Sequence, residues 1–97
     1  MAKLNETIHQ PVRLRIMATL VTLAESEEVD FTYLRDLLEV TDGNLGAHLR
    51  KLEDAGYIAI NKTFVDRKPR TYTSVTAEGR KIFQEHVLAL EAILKSK

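Results

Sequence analysis

The stretch that decides the fold runs from Asn44 to Val75, NLGAHLRKLEDAGYIAINKTFVDRKPRTYTSV. Leu45, Leu49 and Leu52 recur at steps of four and three residues, the apolar stripe of a short amphipathic helix. Ala55-Gly56 breaks it, because glycine takes the left-handed conformation that closes a helix. Tyr57 to Phe64 then alternates Ile58 and Ile60 against Ala59 and Asn61, a strand pattern. Thr71 to Val75 is a second strand rich in Thr, Tyr and Val, and Val65 to Arg70 joins the two as a hairpin tip. A helix followed at once by a basic hairpin offers one surface with two points of contact for a nucleic-acid duplex.

Upstream of this stretch, Pro11 fits the first turn of a helix, where its missing N–H costs nothing. Val12, Ile16, Leu20 and Leu23, widened by Leu14, Met17 and Val21, predict a helix from Pro11 to Ala24. Glu25 to Asp30 reads as an acidic loop, with room for a short extra strand. Phe31, Leu34, Leu37 and Leu38 predict a second helix, with Thr32 as its N-cap. Val40 to Gly43 is the turn that follows, and Thr41 or Asp42 caps the third helix, Asp42 being taken up by that role. Downstream, Thr76, Glu78 and Gly79 open a last helix whose Phe83, Val87, Leu90 and Leu94 follow a heptad-like spacing, with Ile82 and Ile93 beside them. The expected fold is mainly α with a small β-hairpin (α+β), in the order α-α-α-β-β-α: a helix-turn-helix with an added wing.

The chain has 97 residues, enough for one domain spanning 1–97 with its own core. It has no cysteine, which excludes disulfides and thiolate metal sites. No apolar run approaches the roughly 20 residues a membrane span needs, and MAKLNETIHQP lacks the apolar core of a signal peptide. The expected location is the cytoplasm, with no membrane partner.

Fourteen Lys and Arg balance fourteen Asp and Glu, a formal charge of zero. The distribution is uneven. Thr22 to Asp42 carries seven acids and one base, a net −6, and Gly43 to Val75 carries six bases and three acids, a net +3. Screening over roughly 8–10 Å keeps the acidic segment from cancelling a basic face elsewhere.

On a helical wheel, the face of the third helix opposite its leucines carries Gly43, Asn44, Ala47, Arg50, Lys51 and Asp54. Small residues at its N-terminal end allow close backbone approach to base edges. Asn44 suits adenine and Arg50 suits guanine or a phosphate; the free amides near Asp42 and Gly43 suit a phosphate. Asp54 lies at the far end of the helix. In the hairpin, Lys62, Arg67, Lys68 and Arg70 supply charge around Pro69, which is expected to stiffen the tip. The expected DNA-binding set is Thr41, Gly43, Asn44, Ala47, Arg50, Lys51, Lys62, Arg67, Lys68 and Arg70.

HLRKLEDAGYI (residues 48–58), followed by PRTYTSVTAEGR (69–80), resembles the winged-helix transcriptional regulators of the MarR/ArsR kind, above all their small stand-alone members. HQPVRLRIMATL (9–20) resembles the opening helix of ArsR-type repressors. The resemblance covers nearly the whole chain and implies a homodimer on a roughly palindromic double-stranded DNA site. It also departs from the pattern: Gly46 and Ala47 stand where ArsR-type proteins often carry a polar pair, and the thiol ligands of metal-sensing members are missing. Base readout then shifts toward Asn44, Arg50, Lys51 and the wing.

The last helix is long for the core of so small a domain, and Leu4 and Ile8 have no obvious internal place. A twofold interface formed by Leu4, Ile8, Phe83, Val87, Leu90 and Leu94 is therefore expected. His48 lies at the border between core and groove and reads as structural, while His9 and His86 flank the dimer helices, where a joint metal or pH-sensing role across the interface is the minor alternative. Their spacings match no metal motif, so no metal or cofactor is expected. No catalytic constellation or glycine-rich phosphate loop is present, and no enzyme is expected. The functional expectation is a sequence-specific DNA-binding regulator of transcription. The alternative is a protein-interaction module on the same fold, motivated by the acidic segment.

Overall fold

A computed structural model describes residues 3–96. Its elements are α1 (Pro11–Leu20), β1 (Val29–Asp30), α2 (Phe31–Leu38), α3 (Asp42–Asp54), β2 (Ile58–Val65), β3 (Lys68–Val75) and α4 (Ala77–Lys95). The three strands form one antiparallel sheet in the order β1-β3-β2. The expected α+β class holds, including the short strand before the second helix.

The core is built by the stripes the sequence sets out. Ile16, Met17 and Leu20 of α1, Leu34 and Leu38 of α2, and Leu45, Leu49 and Leu52 of α3 are buried together with Val29 and Ile58. Ile8 joins them and is fully buried within its own chain. That corrects the expectation that Ile8 faces a partner: the segment before Pro11 folds back, and no surface of Ile8 is left for an interface.

α1 is shorter than expected. After Leu20 the chain tightens, with Leu23 N–H donating to the Leu20 carbonyl at 3.1 Å. The Thr22 hydroxyl donates to the Thr19 carbonyl at 2.7 Å, and threonine hydroxyls of this kind compete with helix continuation. Leu23 still packs on the core, but from a turn. The carbonyls of Val21 and Leu23 accept from the Arg80 guanidinium at 3.1 and 2.8 Å, which ties the end of α1 to α4.

The N-cap of α2 is Asp30, not Thr32. Its carboxylate accepts from the N–H of Thr32 at 2.7 Å and of Tyr33 at 3.3 Å. α2 ends on Glu39 in the left-handed conformation (φ 55°), so the turn into α3 is Glu39 to Thr41, and Asp42 and Gly43 already belong to α3. Thr41 is the cap of α3, its hydroxyl accepting from Asn44 N–H at 3.1 Å. Asp42 is not spent on capping; its carboxylate accepts from Arg35 at 2.9 Å.

The hairpin is longer and tighter than expected. Only Asp66 and Arg67 form its turn, and both have positive φ (52° and 67°), as a two-residue type I′ connection requires. Pro69 lies in β3, opposite Phe64. It fits there because β1 covers β3 only at Tyr72 and Thr73, so Pro69 needs no donor on that side.

Thr76 caps α4, accepting from Gly79 N–H at 2.9 Å, while its hydroxyl donates to the Gly56 carbonyl at 2.7 Å. Gly79 is buried against the Tyr57 carbonyl, where a Cβ would lie 2.0 Å from the oxygen. This close approach fixes α4 beside the junction of α3 and β2. No helix among the described residues is long and apolar enough to cross a membrane.

Candidate nucleic-acid interface

The expected contact residues of α3 share one exposed face. Gly43, Asn44, Ala47, Arg50 and Lys51 are exposed or half-buried there, with Thr41 just ahead of them. Arg50 also borders a groove of about 500 Å³ between α3 and the wing, lined with Phe31, Gly46, Glu53, Ile60, Lys62 and Thr71. The groove is open at Gly46, which has no side chain: a Cβ there would meet nothing within 4 Å.

Strand alternation sorts the wing residues by face. Ile60 pairs with buried Thr73, Lys62 with Thr71, and Phe64 with Pro69. These residues share the face that turns toward α3 and its groove. Thr63 pairs with Arg70 and Val65 with Lys68 on the opposite face. Arg67 sits in the turn.

The basic residues of the wing are therefore not equivalent. Lys62 faces the groove beside Arg50. Arg70 turns the other way and donates to Asp30 at 3.1 Å, bracing β3 against the start of α2. Burial would raise the Asp30 pKa, but the N–H groups of Thr32 and Tyr33 and the Arg70 guanidinium outweigh it and hold the carboxyl below its usual value. Asn61, on the same side as Arg70, donates to Glu28 at 3.4 Å. The acidic segment thus contacts the face of the wing that points away from the groove.

Sequence reasoning missed the most exposed large apolar residue of the wing. Phe64 is 73% exposed, two positions beyond Lys62 on the groove face. Its place in a strand-forming run hid it, since apolar residues in such runs are read as core.

His48, beside the exposed face of α3, is half-buried, and its Nδ1 accepts from the Arg13 guanidinium at 3.1 Å. Burial and then the Arg13 charge lower its pKa. Arg13 of α1 is thereby tied to α3 through His48.

The apolar residues of α4 divide along its length. Phe83 packs on the core; Val87 and Leu90 are half-buried. Leu94 is 81% exposed, and Leu88 and Ile93, absent from the expected interface set, are 57% and 54% exposed. Leu4 is half-buried and shares a groove of about 430 Å³ with Ile82, Glu85, His86 and Leu88.

His9 and His86 meet within one chain, not across an interface. His9 Nδ1 lies 3.3 Å from His86 Nε2. His86 is buried, and its Nδ1 accepts from Asn5 N–H at 3.0 Å. Burial and then His9 lower the His86 pKa. The Asn5 side chain completes the lock, donating to the Tyr57 hydroxyl at 3.0 Å and accepting from Ile8 N–H at 3.0 Å.

Residues 12–94 match the model of a family described as a winged helix DNA-binding domain. An uncharacterized protein of Methanocaldococcus jannaschii is 34% identical over 85 residues, 88% of this chain and 89% of that protein. The solved structure of a transcriptional regulator homologue from Pyrococcus horikoshii OT3 superposes with a TM-score of 0.83 at 31% identity, over 93% of this chain and 86% of that one. A regulator of the MarR family from Enterococcus faecalis V583 shares the fold at a TM-score of 0.69 and 24% identity, over 91% of this chain and 73% of that one.

Proposed function

This chain belongs to the winged helix DNA-binding domain family, and from that premise we propose that it is a homodimeric regulator of transcription that binds a roughly palindromic double-stranded DNA site. The observation that carries this reading is the shared exposed surface of α3 and the groove face of the wing. Asn44, Ala47, Arg50 and Lys51 enter the major groove, with Thr41 and Gly43 at the phosphate beside the helix N-terminus. Lys62 and Arg67 hold the flanking backbone, while Lys68 lies on the outer face of the wing with Arg70, which keeps the wing at its angle through Asp30. With Gly46 and Ala47 small, direct base readout falls on Asn44 and Arg50.

A second copy covers the outer half of α4. Leu88, Ile93 and Leu94 are large apolar side chains left exposed on that helix. Burying them between two such helices gives the twofold axis that a palindromic site needs. The two α3 helices then lie roughly 34 Å apart, one turn of B-DNA.

A second reading, a protein-interaction module, is favoured by Tyr33 and Leu37, exposed one turn apart on α2 beside the acidic loop. Selection of bound duplexes from a random pool, with the mass of the complex measured by light scattering, separates the two. The DNA reading expects an enriched inverted repeat and two chains per duplex. No retention of DNA at micromolar protein and low salt would leave the interaction module.

A further inference from the structure

We propose that Phe64, backed by Pro69 across the hairpin, is an apolar wedge that enters the minor groove beside the site and kinks the DNA there. The inference rests on the DNA-binding reading and goes beyond it, since the charged residues of the wing grip the backbone without deforming it.

Four observations carry it. Phe64 is 73% exposed at the outer end of β2, where it adds nothing to the core. Its cross-strand partner is Pro69, so the ring stands against a second rigid apolar group. Both lie on the face shared with Lys62, which continues into the groove bordered by Arg50. Lys62, two positions inward on the same face, and Arg67 in the turn beyond put positive charge on either side of the ring. An exposed aromatic flanked by cations suits a partner that is anionic at its rim and apolar inside. A DNA minor groove, with phosphate edges and sugar and base walls, has that chemistry.

The reach is right. Phe64 lies four residues beyond Ile60, at roughly 3.3 Å per strand residue about 13 Å past the edge of the core. With α3 in a major groove, that distance brings the wing to the adjoining minor groove. The minor groove is roughly 6 Å wide and excludes the two-stranded ribbon, so only side chains of the groove face enter it. A partly inserted ring unstacks one base step, at least cost where a pyrimidine precedes a purine.

The test compares the wild type with Phe64→Ala and Phe64→Leu on a duplex selected from the random pool. Affinity is read by fluorescence anisotropy and the bend by energy transfer between dyes at the two ends. Thermal melts accompany both, and Phe64 is exposed enough that its replacement leaves the fold intact. The wedge predicts that Phe64→Ala binds on the order of tenfold more weakly and straightens the DNA, with an unchanged salt slope because the cations still neutralise the same phosphates. Phe64→Leu keeps most of the bend. Phe64→Ala with the affinity and bend of the wild type removes the wedge and leaves the DNA reading in place. A weaker dimer in Phe64→Ala assigns the ring to a second copy of the chain and overturns the proposal. A wild type that fails to bind duplex removes the DNA reading and the wedge together.

Discussion

Gly79 and Thr73 set two opposite constraints on the core. Gly79 lets α4 approach the Tyr57 carbonyl so closely that any Cβ would overlap it. Gly79→Ala must push α4 outward, and a destabilisation of about 3 kcal/mol is expected, measured by urea unfolding. Thr73 is buried with its hydroxyl unpartnered among the described residues. A buried hydroxyl without a partner costs free energy that an isosteric methyl does not. Thr73→Val is expected to raise stability by about 1 kcal/mol in the same assay. Neither role could be read from the sequence. Gly79 looks like one more helix residue, and Thr73 looks like any threonine on an alternating strand. Both follow from which backbone lies opposite, which only the fold supplies.

At the scale of elements, the helices were legible because their leucine stripes and caps are local signals. Thr41 and Gly56 mark the ends of α3 where expected, since a cap or a left-handed glycine acts within one turn of its own position. The wing was less legible. Pro69 reads as a turn residue, yet it sits in β3 because the short β1 leaves that edge free. The true turn, Asp66-Arg67, lacks the Asn-Gly or Asp-Gly pair that such a turn favours, and two side chains hold positive φ. Retaining Arg there strains the turn while placing a cation at the tip. Arg67→Gly is accordingly expected to stabilise the fold by about 0.5–1 kcal/mol, read from the melting temperature. The same variant is expected to bind DNA more weakly, measured by anisotropy. A change in stability without a change in binding would take Arg67 off the DNA.

For the whole molecule, the zero net charge concealed a division of labour. The acidic loop contacts the outer face of the wing through Glu28 and Asp30 and leaves the groove face to Lys62 and Arg50. The sequence showed the segregation of charge, but it could not show that Arg70 belongs to the acidic side. Nor could it show that Ile8 is core, because that depends on the lock formed by Asn5, His86 and Tyr57 across the chain. The lock also predicts a pH dependence. Buried His86 stays neutral with its Nδ1 accepting from Asn5, and burial and His9 lower its pKa. Below the roughly 6.5 of an unfolded histidine the unfolded chain takes up a proton that the folded chain refuses, so stability is full above that value and falls as the pH drops. His48, with its pKa lowered by burial and Arg13, adds in the same direction. The melting temperature is expected to be lower at pH 5 than at pH 7. His86→Gln, whose side-chain carbonyl can still accept from Asn5, is expected to reduce that difference. A pH dependence unchanged in His86→Gln would remove the lock from this account.

If α3 and the groove face of the wing form one DNA-binding surface, the salt dependence of binding shows it most directly. The slope of log affinity against log salt should be steep for the wild type. Lys51→Ala, Lys62→Ala and Arg67→Ala should each flatten it by about two units, because each substitution is present in both subunits of the dimer and removes two phosphate contacts per duplex. Identical slopes in the wild type and all three variants would place the DNA somewhere else on the molecule and contradict the account.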